Sequence, residues 1–257
     1  MRALSAALLA GGFAAAALSS TANALAIVSS SRLVYAFTYS ANQNIQARDS
    51  SQQAEAMDAK GNPIAGGSAG MSHYNGNLND RGTITVQIER QQSDGGLIVE
   101  VSEQGENIHR APPATCVVYG TTQVICDPNK TVYTEEYTLL RFLGPNFVDP
   151  SKLDANKHWT LSQNGSDASV TSDYTIDSNN GGMMHIGEKR TIKQTGAGHL
   201  TSDVQTKVGY DFSRAVPTTI DEYVTQRTDS GMKGTATTTY QTTLSLTSSS
   251  SAAAAGP

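Results

Sequence analysis

The stretch HLTSDVQTKVGYDF, residues 199–212, decides how this chain is built. Its larger apolar side chains, Leu200, Val204, Val208, Tyr210 and Phe212, all carry even numbers, while Thr201, Asp203, Gln205 and Lys207 stand between them. Neighbouring side chains of a strand point to opposite faces, so this pattern predicts a strand with one covered face and one wet face. The parity continues outward in both directions. Upstream lie Val170, Tyr174, Ile176, Met184, Ile186 and Ile192; downstream lie Ile220, Val224, Met232, Tyr240, Leu244 and Leu246. Odd positions hold Lys189, Thr191, Lys193, Asp221, Thr225, Arg227, Thr237 and Thr239. Such parity survives successive turns only if the loops preserve register, which predicts an antiparallel meander from about residue 157 onward. Its turns are read at Asn164-Gly165, at a three-residue Asn179-Asn180-Gly181 and at Asp229-Ser230-Gly231.

The first half follows the same grammar with more interruptions. Leu33, Tyr35, Phe37 and Tyr39 make one strand face, and Ile84, Val86 and Ile88 make another. A two-residue turn at Asp94-Gly95 would return the chain through Leu97, Val99 and Val101, with Ile88 opposite Val101. Between the halves, Thr134 is placed to cap a helix, Glu135 and Glu136 occupy its first turn, and Gly144-Pro145 ends it. Tyr137, Leu139, Leu140, Phe142 and Leu143 leave so short a helix little polar surface, so it must be buried. The predicted fold is mainly β: a single large antiparallel curled sheet or open barrel, with one short buried helix near 134–143.

The chain ends and one internal stretch read differently. Arg2, the uncharged run Ala3 to Leu18 and the small residues of Ala22-Asn23-Ala24 or Ala24-Leu25-Ala26 predict a cleaved signal peptide over residues 1–26. The run is too short to span a membrane as a helix. No cysteine near the cleavage point is available for a lipid, so a periplasmic or secreted product without a lipid anchor is expected. Residues 27–246 are expected to form a single β-rich domain. Within it, residues 47–80 read as a mobile loop with a weak helix near Ser51 to Ala59, and residues 247–257 read as a disordered Ser/Ala tail.

Composition narrows the function classes. The 257 residues are 38% hydrophobic, 16% charged and 6% aromatic, with 27 Ser and 28 Thr, which suits strands and turns. A formal net charge of −5 repels phosphate backbones, so nucleic acid is not an expected partner. Two cysteines, Cys116 and Cys126, flank a turn at Gly120-Thr121-Thr122 that would set them opposite each other as a disulfide in an oxidising compartment.

Motifs for catalysis do not hold in context. Gly66-Gly67-Ser68-Ala69-Gly70 has the spacing of a serine-hydrolase elbow but lacks the strand before it and the helix after it. His73, His109, His158, His185 and His199 show no metal-ligand spacing, so no metal, cofactor or enzymatic activity is expected. The informative charges are Glu188, Arg190 and Glu222, which parity places on the apolar face unless a bulge shifts the register. Charges on a covered face must pair or line a wet cavity, which marks the three, with Tyr210 and Leu140 beside them, as candidate ligand-binding residues. The layout resembles that of the periplasmic lipoprotein carriers, exported curled sheets with helices on the concave face, a likeness that transfers no site residue. The expected function is a carrier or binding protein for an apolar small molecule or lipid, not spanning a membrane. The alternative is an envelope structural or interaction module with a fully packed interior.

Overall fold

The computed structural model of the chain describes residues 31–48, 71–107, 110–120, 123–144, 147–148, 157–195, 199–229 and 234–251. The strands are β1 Ser31–Arg48, β2 Met71–Gln91, β3 Leu97–Gly105, β4 Arg110–Gly120, β5 Gln123–Cys126, β6 His158–Asn164, β7 Ala168–Asn180, β8 Met183–Gln194, β9 His199–Asp211, β10 Val216–Asp229 and β11 Gly234–Ser251. One helix, α1 Thr134–Arg141, separates β5 from β6. All eleven strands form one sheet in the order β5-β4-β3-β2-β1-β11-β10-β9-β8-β7-β6. Every neighbouring pair is antiparallel.

Two meanders are therefore joined at the centre, where β1 and β11 pair from Ser31↔Ser251 to Ala47↔Gly234. The sheet is open, with β5 and β6 at its edges. Between these edge strands in sequence, α1 lies over the concave face, where Leu139 and Leu140 join the core cluster.

The parity survives through compensation. The β7–β8 turn is Gly181-Gly182, with φ of 61° and 91°, and not the three-residue Asn179-Asn180-Gly181 turn expected from the sequence. Two adjacent glycines suit a tight turn with left-handed backbone at both positions. An even-length loop would pair even with odd residues, and a bulge between Ile176 and Ser178 restores even with even. The β9–β10 connection, residues 212–215, is corrected in the same way by a bulge between Pro217 and Thr219. In the β2–β3 hairpin the loop is Gln92–Gly96, closed by the Gln92 N–H donating to the Gly96 carbonyl at 2.7 Å. A bulge between Ile88 and Arg90 then sets Ile88 opposite Val99, not Val101, while keeping both on the core face.

Two expected irregular stretches are partly strand. Residues 71–80 belong to β2, in register with β1 from Arg48↔Met71 to Tyr39↔Asp80. Residues 247–251 belong to β11. In both places the partner strand supplies the backbone hydrogen bonds that a composition rich in Asn, Ser and Gly does not advertise. The remainder of the expected loop (49–70, with the Ser51 to Ala59 helix and Gly66–Gly70), the signal peptide (1–26) and residues 252–257 lie outside the described residues.

The core sits between α1, the segment after it and the concave face. Leu139, Leu140, Phe142 and Leu143 are buried against Tyr35, Ile84, Val99 and Val208 in one cluster. Tyr133, not Thr134, takes the N-cap position, and its N–H donates to the Glu136 carboxylate at 2.8 Å. Gly144, with φ of 99°, turns the chain out of the helix. Phe147 then packs edge-on against Phe142 at 5.0 Å, Tyr210 at 5.1 Å and Tyr174 at 5.8 Å between ring centroids. Trp159 stacks on Tyr174 at 4.9 Å. Rings interlocked at these distances leave no room for a ligand among them. Cys116 and Cys126 pair directly and are joined by a disulfide.

Candidate functional site

Strand register sorts the concave face into rows. One row is apolar: Ile176, Ile186, Val208, Ile220, Leu244 and Phe37 lie side by side across six strands. The next row changes character, running Trp159, Tyr174, Glu188, Thr206, Glu222, Thr242, Tyr39 and Asp80. The row beyond it is Leu161, Ser172, Arg190, Val204, Val224, Tyr240, Ala41 and Leu78. Glu188 and Glu222 thus stand mid-strand on the concave face with one threonine between them. No bulge displaces them.

The helix supplies what these carboxylates need. Arg141, its last residue, donates from Nη1 to both Glu188 oxygens at 3.0 and 3.2 Å and from Nη2 to Glu222 at 2.5 Å. Thr138, one turn earlier, donates to Glu222 at 2.7 Å. The Thr206 hydroxyl lies 2.9 Å from Glu188 and 3.2 Å from Glu222, and the Tyr174 hydroxyl donates to Glu188 at 2.9 Å. Arg141, Glu188 and Glu222 are all buried, and each carboxylate accepts bonds from more than one donor. Such saturation is what makes a buried charge tolerable.

Burial pushes the Glu188 carboxyl up, but Arg141, Arg190 and the Tyr174 and Thr206 hydroxyls outweigh it and hold it below the usual carboxylate range. Burial also works against the charge on Arg141, and Glu188 and Glu222 overcome it, so the guanidinium is held above its ordinary value.

Arg190 is placed differently. It neighbours the ion cluster without joining it, and its Nε is buried without a hydrogen bond among the described residues. Burial, reinforced by repulsion from Arg141, pulls its guanidinium down to about 10. In its row Arg190 and Tyr240 stand on either side of Val204 and Val224. Burial, with Glu222 and Tyr39, pushes the Tyr240 phenol up, and Arg141 and Arg190 oppose it. Tyr240 also leans on Tyr39, with ring centroids 6.1 Å apart. Burial, then the Glu135 carboxylate, pushes Tyr39 up to about 12. Val204 and Val224 are buried, yet they stand apart from the main core on the far side of the ion cluster.

Of the five residues the sequence marks for ligand binding, Glu188, Arg190 and Glu222 are brought together. Tyr210 is not part of this group: it lies in the packed core and donates to the Gly144 carbonyl at 2.7 Å. Leu140 is likewise core, fully buried under the helix. The sequence reading missed Arg141, Thr138, Thr206 and Tyr174. Arg141 carries a recognisable signal, since an arginine between Leu140 and Phe142 in a helix that must be buried needs carboxylates on the surface it meets. Glu135 and Glu136, read as acids of the helix's first turn, are both buried. His185 and His199 are exposed. Among the described residues no three metal-ligating side chains are grouped, and no helix is long and apolar enough to cross a membrane.

No family model matches the chain, and no curated protein sequence matches it. A solved structure described as "lipid-protein interactions in lipovitellin" aligns with a TM-score of 0.40 at 8% identity, over 90% of this chain and 26% of that one. The chain thus spans about a quarter of the length of the structure it is similar to.

Proposed function

We propose that the chain is an exported, non-catalytic binding protein that holds a small apolar or amphipathic molecule against the outer part of its concave face. The carrying observation is the division of that face by the Arg141–Glu188–Glu222 cluster. On one side the helix and its aromatic cluster fill the interior. On the other, a second apolar strip at Val204 and Val224 lies outside the main core, flanked by Arg190 and Tyr240. Apolar floors with a few convergent polar groups are the usual makeup of small-molecule sites. Export is supported by the signal-like start of the chain and by the Cys116–Cys126 disulfide, which an oxidising compartment favours.

The test is to secrete the full chain into an oxidising periplasm, purify it without detergent and compare native with denatured-extract mass spectra. A defined apolar molecule released on denaturation is the expected result. An apoprotein that also fails to bind a fluorescent apolar probe would overturn the reading. It would favour a cell-envelope interaction module, the reading to which the dense packing beneath α1 lends weight.

A further inference from the structure

The buried polar groups of the concave face are not equally satisfied. Arg141 takes both Glu188 and Glu222, and Thr138, Thr206 and Tyr174 fill the remaining acceptor sites. Arg141 and Arg190 both face Glu188 and Glu222, but both carboxylates are hydrogen-bonded to Arg141 while the Nε of Arg190 is buried without an acceptor. A guanidinium carries five donors in a planar fork and no acceptor, so only an acceptor can complete it. Thr242 Oγ1, in the row next to Tyr240, is also buried without a partner. Beside Arg190 the surface is apolar: Val204 lies directly across from it, then Val224, with the Tyr240 ring beyond.

From this arrangement we infer that Arg190 recognises a single negative charge on the bound molecule, and that the ligand class is an apolar chain ending in a carboxylate. The carboxylate meets the Arg190 fork in bidentate fashion while the chain runs over the buried Val204 and Val224 toward the partly exposed Tyr240. The number of free donors limits the charge to one. A single carboxylate takes up the Arg190 donors that the cluster leaves open, whereas the second charge of a phosphate monoester would meet no uncommitted donor in a region of low dielectric. A neutral chain ending in a hydroxyl would still find the floor but would offer Arg190 only one uncharged acceptor. This inference rests on the binding-protein reading and adds the chemistry of the head group.

The experiment uses the full exported chain, a fluorescent polyene fatty acid as reporter, and displacement by lauric acid, dodecanol and dodecyl phosphate. Lauric acid is expected to displace the reporter at least about tenfold more effectively than either competitor, the value of one charge-assisted hydrogen bond. Arg190→Gln should erase that preference by weakening lauric acid at least about tenfold more than dodecanol, and Arg190→Lys should retain part of it. Equal displacement by the acid and the alcohol in the unmodified chain, or an undiminished preference in Arg190→Gln, would overturn the assignment while leaving a carrier in place. Tighter displacement by dodecyl phosphate than by lauric acid would overturn the monoanion argument. Failure of the reporter and all three chains to bind would refute the carrier reading itself. Should Arg190→Gln not fold, the unmodified chain with Arg190→Lys still decides the matter.

Discussion

Replacing Arg141 by methionine isolates the energetics of the ion cluster. The change keeps most of the apolar stem and removes the cation to which Glu188 and Glu222 both bond. All three side chains are under a tenth exposed, so little solvent screening softens the loss. Removing one partner of a buried ionic group costs about 3–5 kcal/mol, because the remaining charges stay buried without compensation. At about 2–4 °C per kcal/mol for a domain of this size, melting should fall by roughly 6–20 °C.

The pH dependence separates this cause from simple loss of packing. In the unmodified chain Glu188 is held below its unfolded value, so its contribution is present above the ordinary carboxylate pKa and is lost as pH falls through the folded one. Arg141→Met leaves burial, which pushes Glu188 up, opposed only by Arg190 and two hydroxyls. The sign then reverses, and lowering the pH from 7 toward 5 should recover stability in the variant by protonating the stranded acid. Urea denaturation of both proteins at pH 7 and pH 5, disulfide intact, measures this directly. A triple variant with Glu188→Leu and Glu222→Leu added should regain most of the loss. A variant within about 1 kcal/mol of the parent at pH 7, or one that gains no stability between pH 7 and pH 5, would refute the reasoning.

Leu140→Ala should destabilise the fold by about 2–4 kcal/mol and Phe147→Ala by about 3–5 kcal/mol in the same assay, since both side chains are enclosed in the core. Reducing the Cys116–Cys126 bond should lower stability by about 3 kcal/mol in the chain-entropy model, read as the denaturation midpoint with and without reductant. Gly82→Ala should disrupt the β2–β3 pairing, because its new Cβ would clash with the Gln104 carbonyl oxygen. Amide hydrogen exchange should show faster opening of β2 and β3, with a stability loss of at least about 1–3 kcal/mol.

Much of the architecture could be read from residue order. Even-numbered Tyr174, Ile186, Val208, Ile220 and Leu244 do share one face, and Cys116 does oppose Cys126. The turn lengths were legible only in part. Gly181-Gly182 and the 92–96 loop each differ from expectation, but a bulge beside each keeps the hydrophobic set inward. Burial of the apolar face outweighs the cost of a local irregularity, so parity predicts the faces better than the turns. The candidate site shows the same division. Glu188 and Glu222 stand out by parity, whereas Arg141, Thr206 and Thr138 acquire meaning only once the helix is laid across the sheet.

The sequence alone determined the strand faces, the existence of α1, the disulfide and the presence of charges on the covered face. Each follows from local periodicity or from neighbours only a few residues apart. Tertiary structure alone decided that β1 and β11 pair at the centre, that the sheet stays open between β5 and β6, and that Arg141 joins acids 47 and 81 residues away. Those outcomes depend on which strand edges meet and where a connecting segment crosses. They are long-range packing choices among backbones that carry the same local signals, so no window of sequence encodes them.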